Sequence, residues 1–143
     1  MQNLSDALKK RVEGDVMFDS FSRGRYATDA SLYQMLPVGV MSPKSAADIA
    51  AAIDIAARQG VPLLARGGGT SQCGQTVNNA LVLDNTQYFN DILELDVEGM
   101  RCVVRPGIVR IKRQRLRIGG SGGLKVFLLK PDVAQIVAHD GIL

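Results

Sequence analysis

The sequence has no tryptophan, one histidine and two cysteines among its 143 residues, and aromatic side chains make up only 5% of it. Each scarcity removes a class of function. Cys73 and Cys102 stand 29 positions apart in no metal-ligand spacing, and the single histidine, His139, is too little to complete a cluster with them. The two cysteines read as free or buried thiols. No G-x-S-x-G accompanies His139, so a serine-hydrolase triad has no footing and His139 receives no role. No stretch approaches the roughly 20 apolar residues of a membrane span. The opening MQNLSD lacks the basic start and apolar middle of a secretory signal, so a cytoplasmic location is the default expectation.

What remains is an ordinary globular balance, 46% hydrophobic and 22% charged. The length suits one domain with a real core. The net charge of +3 conceals an asymmetry: residues 1–109 carry a net −2 and residues 110–143 a net +5. The basic balance therefore belongs to the tail and is not a nucleic-acid footprint for the whole chain.

Leu4, Leu8 and Val12 fall at i, i+4 and i+8, which predicts a short amphipathic helix over 4–12, ended by Gly14 and Asp15. Residues 18–36 are polar and turn-rich and predict a loop with room for one helical turn. VGVM at 38–41, closed by Ser42 and Pro43, predicts a strand. Ser45 then serves as N-cap, with Asp48 in place of the usual Glu or Gln of a capping box, for a helix over 46–58. Ile49, Ile53, Ala56 and Ala57 give that helix its apolar face, and Gly60 stops it. Strands follow at 61–65 and 80–84, the first two strands parallel with a right-handed crossover. ILELD at 92–96 and RCVVR at 101–105 predict an antiparallel hairpin closed by Pro106 and Gly107.

Between two of these strands lies RGGGTSQCGQT, residues 66–76. Tandem glycine is costly to order, so so much bare backbone asks for a reason. A dinucleotide fingerprint G-x-G-x-x-G begun at Gly67 would need glycine at 72, where the residue is Gln72. A P-loop begun at Gly69 would need lysine where Gln75 stands, and residues 77–79 start no helix to supply a dipole. A third possibility is a nest of successive backbone N–H groups aimed at a pyrophosphate, with Thr70 and Ser71 adding hydroxyl donors. A plain tight turn would carry the same glycines.

The stretch YATDASLYQMLPVGVMSPKSAADIAAAIDIAARQGVPLLARGGGTSQCGQTVNNALVLD resembles the N-terminal FAD-binding subdomain of the FAD-linked oxidases. This is the vanillyl-alcohol oxidase and p-cresol methylhydroxylase superfamily, with the glycolate oxidase and D-lactate dehydrogenase branch nearest. The carrying features are Pro43, the Ala/Ile-rich helix at 46–58, R-G-G-G-T-S, Gly74 three residues on, and a strand ending in Asp84. ILELDVEGMRCVVRPGIV matches the hairpin that follows in that family. The resemblance spans about residues 14–109. It implies an α+β fold, the N-terminal half of a p-cresol methylhydroxylase-type FAD-binding domain: a β-α-β unit, a glycine-rich loop, further strands and an antiparallel hairpin. It implies FAD as cofactor, its pyrophosphate wrapped by Gly67, Gly68, Gly69, Thr70 and Ser71, with Gly74 nearby. Arg66 occupies the matching basic position and reads equally well as a solvated strand-end arginine. Thr70 stands where some branches carry a histidine that binds FAD covalently, so non-covalent FAD is expected. YATDAS at 26–31 looks family-like but receives no chemistry.

After Val109 the family pattern stops. Arg110, Lys112, Arg113, Arg115 and Arg117 crowd eight positions, and GGSGG follows. The expectation is an FAD-binding subdomain over 1–109 and a basic, Gly-rich tail over 110–143, either the product of a truncation or frameshift or an authentic divergent tail that finishes a small domain or meets a partner. Residues 126–129 suggest a strand there and 133–138 a helical turn or two. The catalytic base and carboxylate clamp of a 2-hydroxy-acid oxidoreductase would lie in parts the family carries elsewhere, so no catalytic residue is assigned. FAD binding is expected to be weak or undetectable, because the loop supplies only part of the grip. The alternative functions are a nucleotide- or nucleic-acid-binding module using the basic tail, and a degenerate P-loop. The tail offers only Phe127 for base stacking, which weighs against nucleic acid.

Overall fold

The computed structural model describes residues 2–97 and 99–107, and the backbone of two further strands at 123–130 and 133–139. The basic run at 110–117 lies outside the described residues. Helix α1 (Gln2–Lys9) is followed by strand β1 (Asp15–Met17), helix α2 (Ser20–Arg25), strand β2 (Gly39–Ser42), helix α3 (Ala46–Arg58), and strands β3 (Leu63–Arg66) and β4 (Leu81–Asp84). Strands β5 (Ile92–Asp96), β6 (Arg101–Val104), β7 (Gly123–Lys130) and β8 (Val133–His139) complete the order.

Two four-stranded sheets result, one ordered β1-β2-β4-β3 and the other β5-β6-β8-β7. In the first, β2 and β3 run parallel, as expected, but they do not touch. Strand β4 lies between them and pairs parallel with both, Val40 and Leu64 flanking Val82. The wide crossover through α3 leaves this gap, and the all-apolar LVL of β4 fills it, buried on both faces as a central parallel strand must be. Asp15–Met17 adds an antiparallel edge strand that a three-residue run does not announce.

Helix α3 begins as expected, with Ser45 Oγ accepting from the Asp48 N–H at 3.2 Å. Asp48 does not return to the cap residue as a capping box would. Its buried carboxylate instead accepts from the Glu13 N–H at 3.0 Å and the Lys44 N–H at 2.9 Å, tying the N-terminal segment to the end of β2. Gly60 adopts φ +64° just past the helix, in the left-handed conformation that glycine tolerates. The buried stripe is Asp48, Ala52, Ile55 and Ala56, while Ile53 is 50% exposed, contrary to the face expected of it. Ile53 sits one position from Ala52, about 100° around the helix, and so misses the core. Leu4 and Leu8 of α1, Met41, Ala52, Ile55, Leu81 and Leu83 form one core, with Val12 packed against it.

In the second sheet, β5 and β6 form the expected antiparallel hairpin. Strand β8 pairs with β6 and β7 with β8. Residues 133–138 are therefore strand, not helix. The VxxIV spacing fits either period, and three β-branched residues beside a ready partner edge favour the strand.

Candidate functional site

The glycine loop leaves the carboxyl end of β3 and occupies residues 67–80 on its way back to the start of β4. The carboxyl ends of parallel strands are where open α/β sheets bind ligands. No helix begins at 75–79, so the P-loop alternative fails on structure as well as on Gln75. Asn85, just past β4, donates its N–H to the Arg66 carbonyl at 3.0 Å and so holds the start of the loop to the neighbouring strand end.

Within the loop, Gly68 and Thr70 are exposed, Gly67 and Ser71 half-buried, and Gly69 buried. Gly69 takes φ +65° and Gly74 φ +74°. Among the described residues, the N–H groups of Gly68, Gly69, Thr70, Ser71 and Gln72 make no hydrogen bond. Ser71 Oγ pairs with the Gln75 side chain and receives the Cys73 N–H at 3.3 Å, which curls the second half of the loop back on itself. The result is a row of peptide donors on bare backbone, the chemistry that grips an oxyanion.

Arg66 is neither a solvated arginine nor an outward cation. It is 8% exposed, and its Nη1 donates to the Thr76 carbonyl at 2.9 Å and the Tyr26 carbonyl at 3.3 Å. Its Nη2 donates to the Thr28 carbonyl at 2.8 Å, and its guanidinium lies 5.3 Å from the Tyr26 ring centre. A Cβ at Gly69 would fall 2.5 Å from Nη2, so Gly69 is bare because the guanidinium fills the space beside it.

The stretch YATDAS, to which the sequence assigned no chemistry, is the strap that this clamp holds. The Ala30 N–H donates to the Gly69 carbonyl at 3.0 Å. Asp29 Oδ2 accepts from Thr76 Oγ1 at 2.9 Å, and Oδ1 from the Ser31 N–H at 2.8 Å. The Ser31 hydroxyl first, then the Ser31 and Thr76 donors, hold the Asp29 carboxyl down at about 2. The Tyr26 hydroxyl donates to Asp84 Oδ2 at 2.5 Å, and burial together with that carboxylate pushes the phenol up to about 12. The Tyr33 ring lies against Gly74 where a Cβ would clash. The strap's ties are backbone carbonyls and short polar side chains, which leave no periodic signal. The spacing of Asp29 and Ser31, an Asx-type turn, was the one legible sign.

The closing Pro106 and Gly107 of the hairpin reach the same place. The Gly107 N–H donates to the Phe89 carbonyl at 2.7 Å, and the Pro106 carbonyl lies 3.5 Å from where a Gly67 Cβ would be. Cys73 is exposed on the loop and Cys102 is buried in β6, both as free thiols. Among the described residues no group of three His, Cys, Asp or Glu could hold a metal, and no helix is long and apolar enough to cross a membrane.

Comparison with known proteins agrees with this geometry. A family model described as an FAD binding domain matches residues 37–115. The D-2-hydroxyglutarate dehydrogenase of Haemophilus influenzae is 36% identical over 110 residues, which cover 75% of this chain and 11% of that enzyme. The glycolate oxidase subunit GlcD of Bacillus subtilis is 35% identical over 106 residues, covering 71% of this chain and 22% of that subunit. The chain thus spans a small part of the curated relatives it matches. Among solved structures, p-cresol methylhydroxylase with substrate bound superposes with a TM-score of 0.60 at 13% identity, over 75% of this chain and 22% of that one. The 4-ethylphenol oxidase of Gulosibacter chungangensis does so with a TM-score of 0.60 at 22% identity, over 74% of this chain and 22% of that one. The strand order, the glycine loop at the carboxyl end of β3 and the match over residues 37–115 agree: the chain belongs to the FAD-binding domain family, and its fold is the N-terminal part of a p-cresol methylhydroxylase-type domain.

Proposed function

We propose that this chain is the pyrophosphate-gripping part of an FAD-dependent oxidoreductase acting on a 2-hydroxy acid. The observation that carries the reading is the row of N–H groups from Gly68 to Gln72, set on glycine-rich backbone at the carboxyl end of a parallel sheet. Gly67, Gly68, Gly69, Thr70 and Ser71 would face the two phosphates, with Gly74 turning the chain and Arg66 beneath. When bound, FAD supplies a two-electron acceptor; the protein binds and orients it. Thr70 offers no nucleophilic ring nitrogen, which supports non-covalent attachment. The substrate class rests on the named activities of the relatives, D-2-hydroxyglutarate dehydrogenase and glycolate oxidase.

Residues 1–109 form the FAD-binding unit in this reading. Val109 marks the end of the family pattern seen in the sequence, although β8 pairs with β6 and the family match continues to residue 115. The basic tail has no part in the proposed site.

Isothermal titration with FAD tests the loop. Gly68→Val should abolish the binding heat while far-UV circular dichroism shows α3 intact; equal affinity in the variant places the phosphates elsewhere. The substrate class is tested on an FAD-loaded protein in which this chain is joined to a substrate-binding part of the family, by anaerobic addition of D-2-hydroxy acids. These should bleach its yellow absorbance. Bleaching by a phenol or an oligosaccharide instead would move it to another branch of the fold.

A further inference from the structure

Arg66 joins three separate pieces of chain through one charge: the strap at Tyr26 and Thr28, the end of β3, and the far side of the glycine loop at Thr76. A buried cation is tolerated only when its donors are met, and here three carbonyls and an aromatic face meet them. Those contacts have a consequence for the outer side of the loop. The Gly69 carbonyl, which shares its peptide with the Thr70 N–H, is held by the Ala30 N–H of the strap that Arg66 grips at Tyr26 and Thr28, while the Thr76 carbonyl, beyond the donor row, is held by Arg66 directly. A peptide whose carbonyl is held on one side presents its N–H to the other. A flipped peptide in so glycine-rich a loop would aim a carbonyl lone pair at the phosphates and repel them.

We propose that Arg66, together with the strap residues it grips, is the positioning residue of the pyrophosphate site. It touches no phosphate; through the strap it holds the Gly69–Thr70 peptide so that the Thr70 N–H, not the Gly69 carbonyl, faces the anion. The inference rests on the loop being that site. Asp29 adds a second tie through Thr76 Oγ1 and keeps the far end of the loop from rotating. Geometry, more than charge, is what Arg66 supplies. A lysine would retain the charge but cannot reproduce a fork that reaches three carbonyls.

The test is FAD half-saturation, followed by loop amide shifts in NMR at a temperature where circular dichroism shows each variant folded. Arg66→Ala and Arg66→Lys should both weaken binding by about 10- to 100-fold. Millimolar guanidinium should restore Arg66→Ala toward the parent by refilling the vacated space, whereas methylammonium should not. Parental affinity in Arg66→Lys with loss in Arg66→Ala would show that charge alone matters and overturn the proposal. So would parental affinity in both. If Arg66→Ala fails to fold, Arg66→Lys decides by itself: binding weakened about 10-fold or more in the folded variant supports the positioning role, and parental affinity overturns it. Parental affinity in Gly68→Val would overturn the pyrophosphate reading and the positioning role with it. Loss in Gly68→Val with parental affinity in Arg66→Ala overturns the positioning role alone.

Discussion

Replacing Gly69 by alanine is a compact probe of the clamp, because Gly60 provides an internal control. Both glycines are left-handed, with φ +65° and +64°. Alanine in that conformation costs about 1 kcal/mol wherever it stands. At Gly60 nothing lies within 4 Å of the added Cβ, so that cost is the whole effect. At Gly69 the Cβ would fall 2.5 Å from Arg66 Nη2 and 3.0 Å from its guanidinium carbon, a contact that must be relieved. Arg66 is the end of a flexible side chain, but its guanidinium is buried and bonded to three carbonyls, so moving it loosens charge-assisted hydrogen bonds worth about 2–3 kcal/mol together. Gly69→Ala should therefore destabilise by about 3–4 kcal/mol against about 1 for Gly60→Ala. That is a large share of the 5–15 kcal/mol typical of a domain. Urea unfolding of the two variants, read as midpoint times slope, supplies the comparison. Equal destabilisation would refute the reasoning, since it would mean that the guanidinium does not occupy the space beside Gly69.

Other expectations follow from the same contacts. The Tyr26 phenol is raised above its ordinary 10 to about 12, so the stability from the Tyr26–Asp84 bond should be full below pH 10 and lost as pH rises through 12. An alkaline denaturation series in which Tyr26→Phe shows the same pH dependence would contradict it. Asp29 has the opposite sign: its pKa is lowered from 3.8 to about 2, so its contribution is present above pH 3.8 and lost as pH falls through 2, which acid unfolding of Asp29→Asn measures. Asp48→Ala should cost about 2–4 kcal/mol in denaturant unfolding, because it strands the Glu13 and Lys44 N–H groups around a buried position. Cys73 should react with a thiol reagent far faster than Cys102, which is buried and whose thiol burial pushes up; peptide mass spectrometry after timed labelling would show equal rates if that is wrong.

The elements with strong local chemistry were legible before the structure. Helix α3 announced itself through Ser45, its alanines and Gly60, and the hairpin of β5 and β6 through alternation around a glycine turn. What the sequence could not show is long-range. Nothing local in LVLD says that β4 slots between β2 and β3, because that choice depends on how α3 spans the sheet. Residues 15–17 and 20–25 are too short for periodicity, and α2 depends on Asp19 Oδ1 capping the Ser22 N–H at 2.8 Å. The glycine loop was found from its composition, but the meaning of Arg66 was not. Its partners are backbone carbonyls at 26, 28 and 76, and any residue supplies a carbonyl, so no side-chain pattern marks them.

The most direct test of the account is a ¹H–¹⁵N NMR titration of this chain with FAD. The largest shifts should fall on the amides of Gly67, Gly68, Gly69, Thr70 and Ser71, with a smaller effect at Gly74, and inorganic pyrophosphate should reproduce them in part. Shifts confined to the β5–β6 hairpin or to the basic residues 110–117, with the glycine loop unmoved, would contradict it.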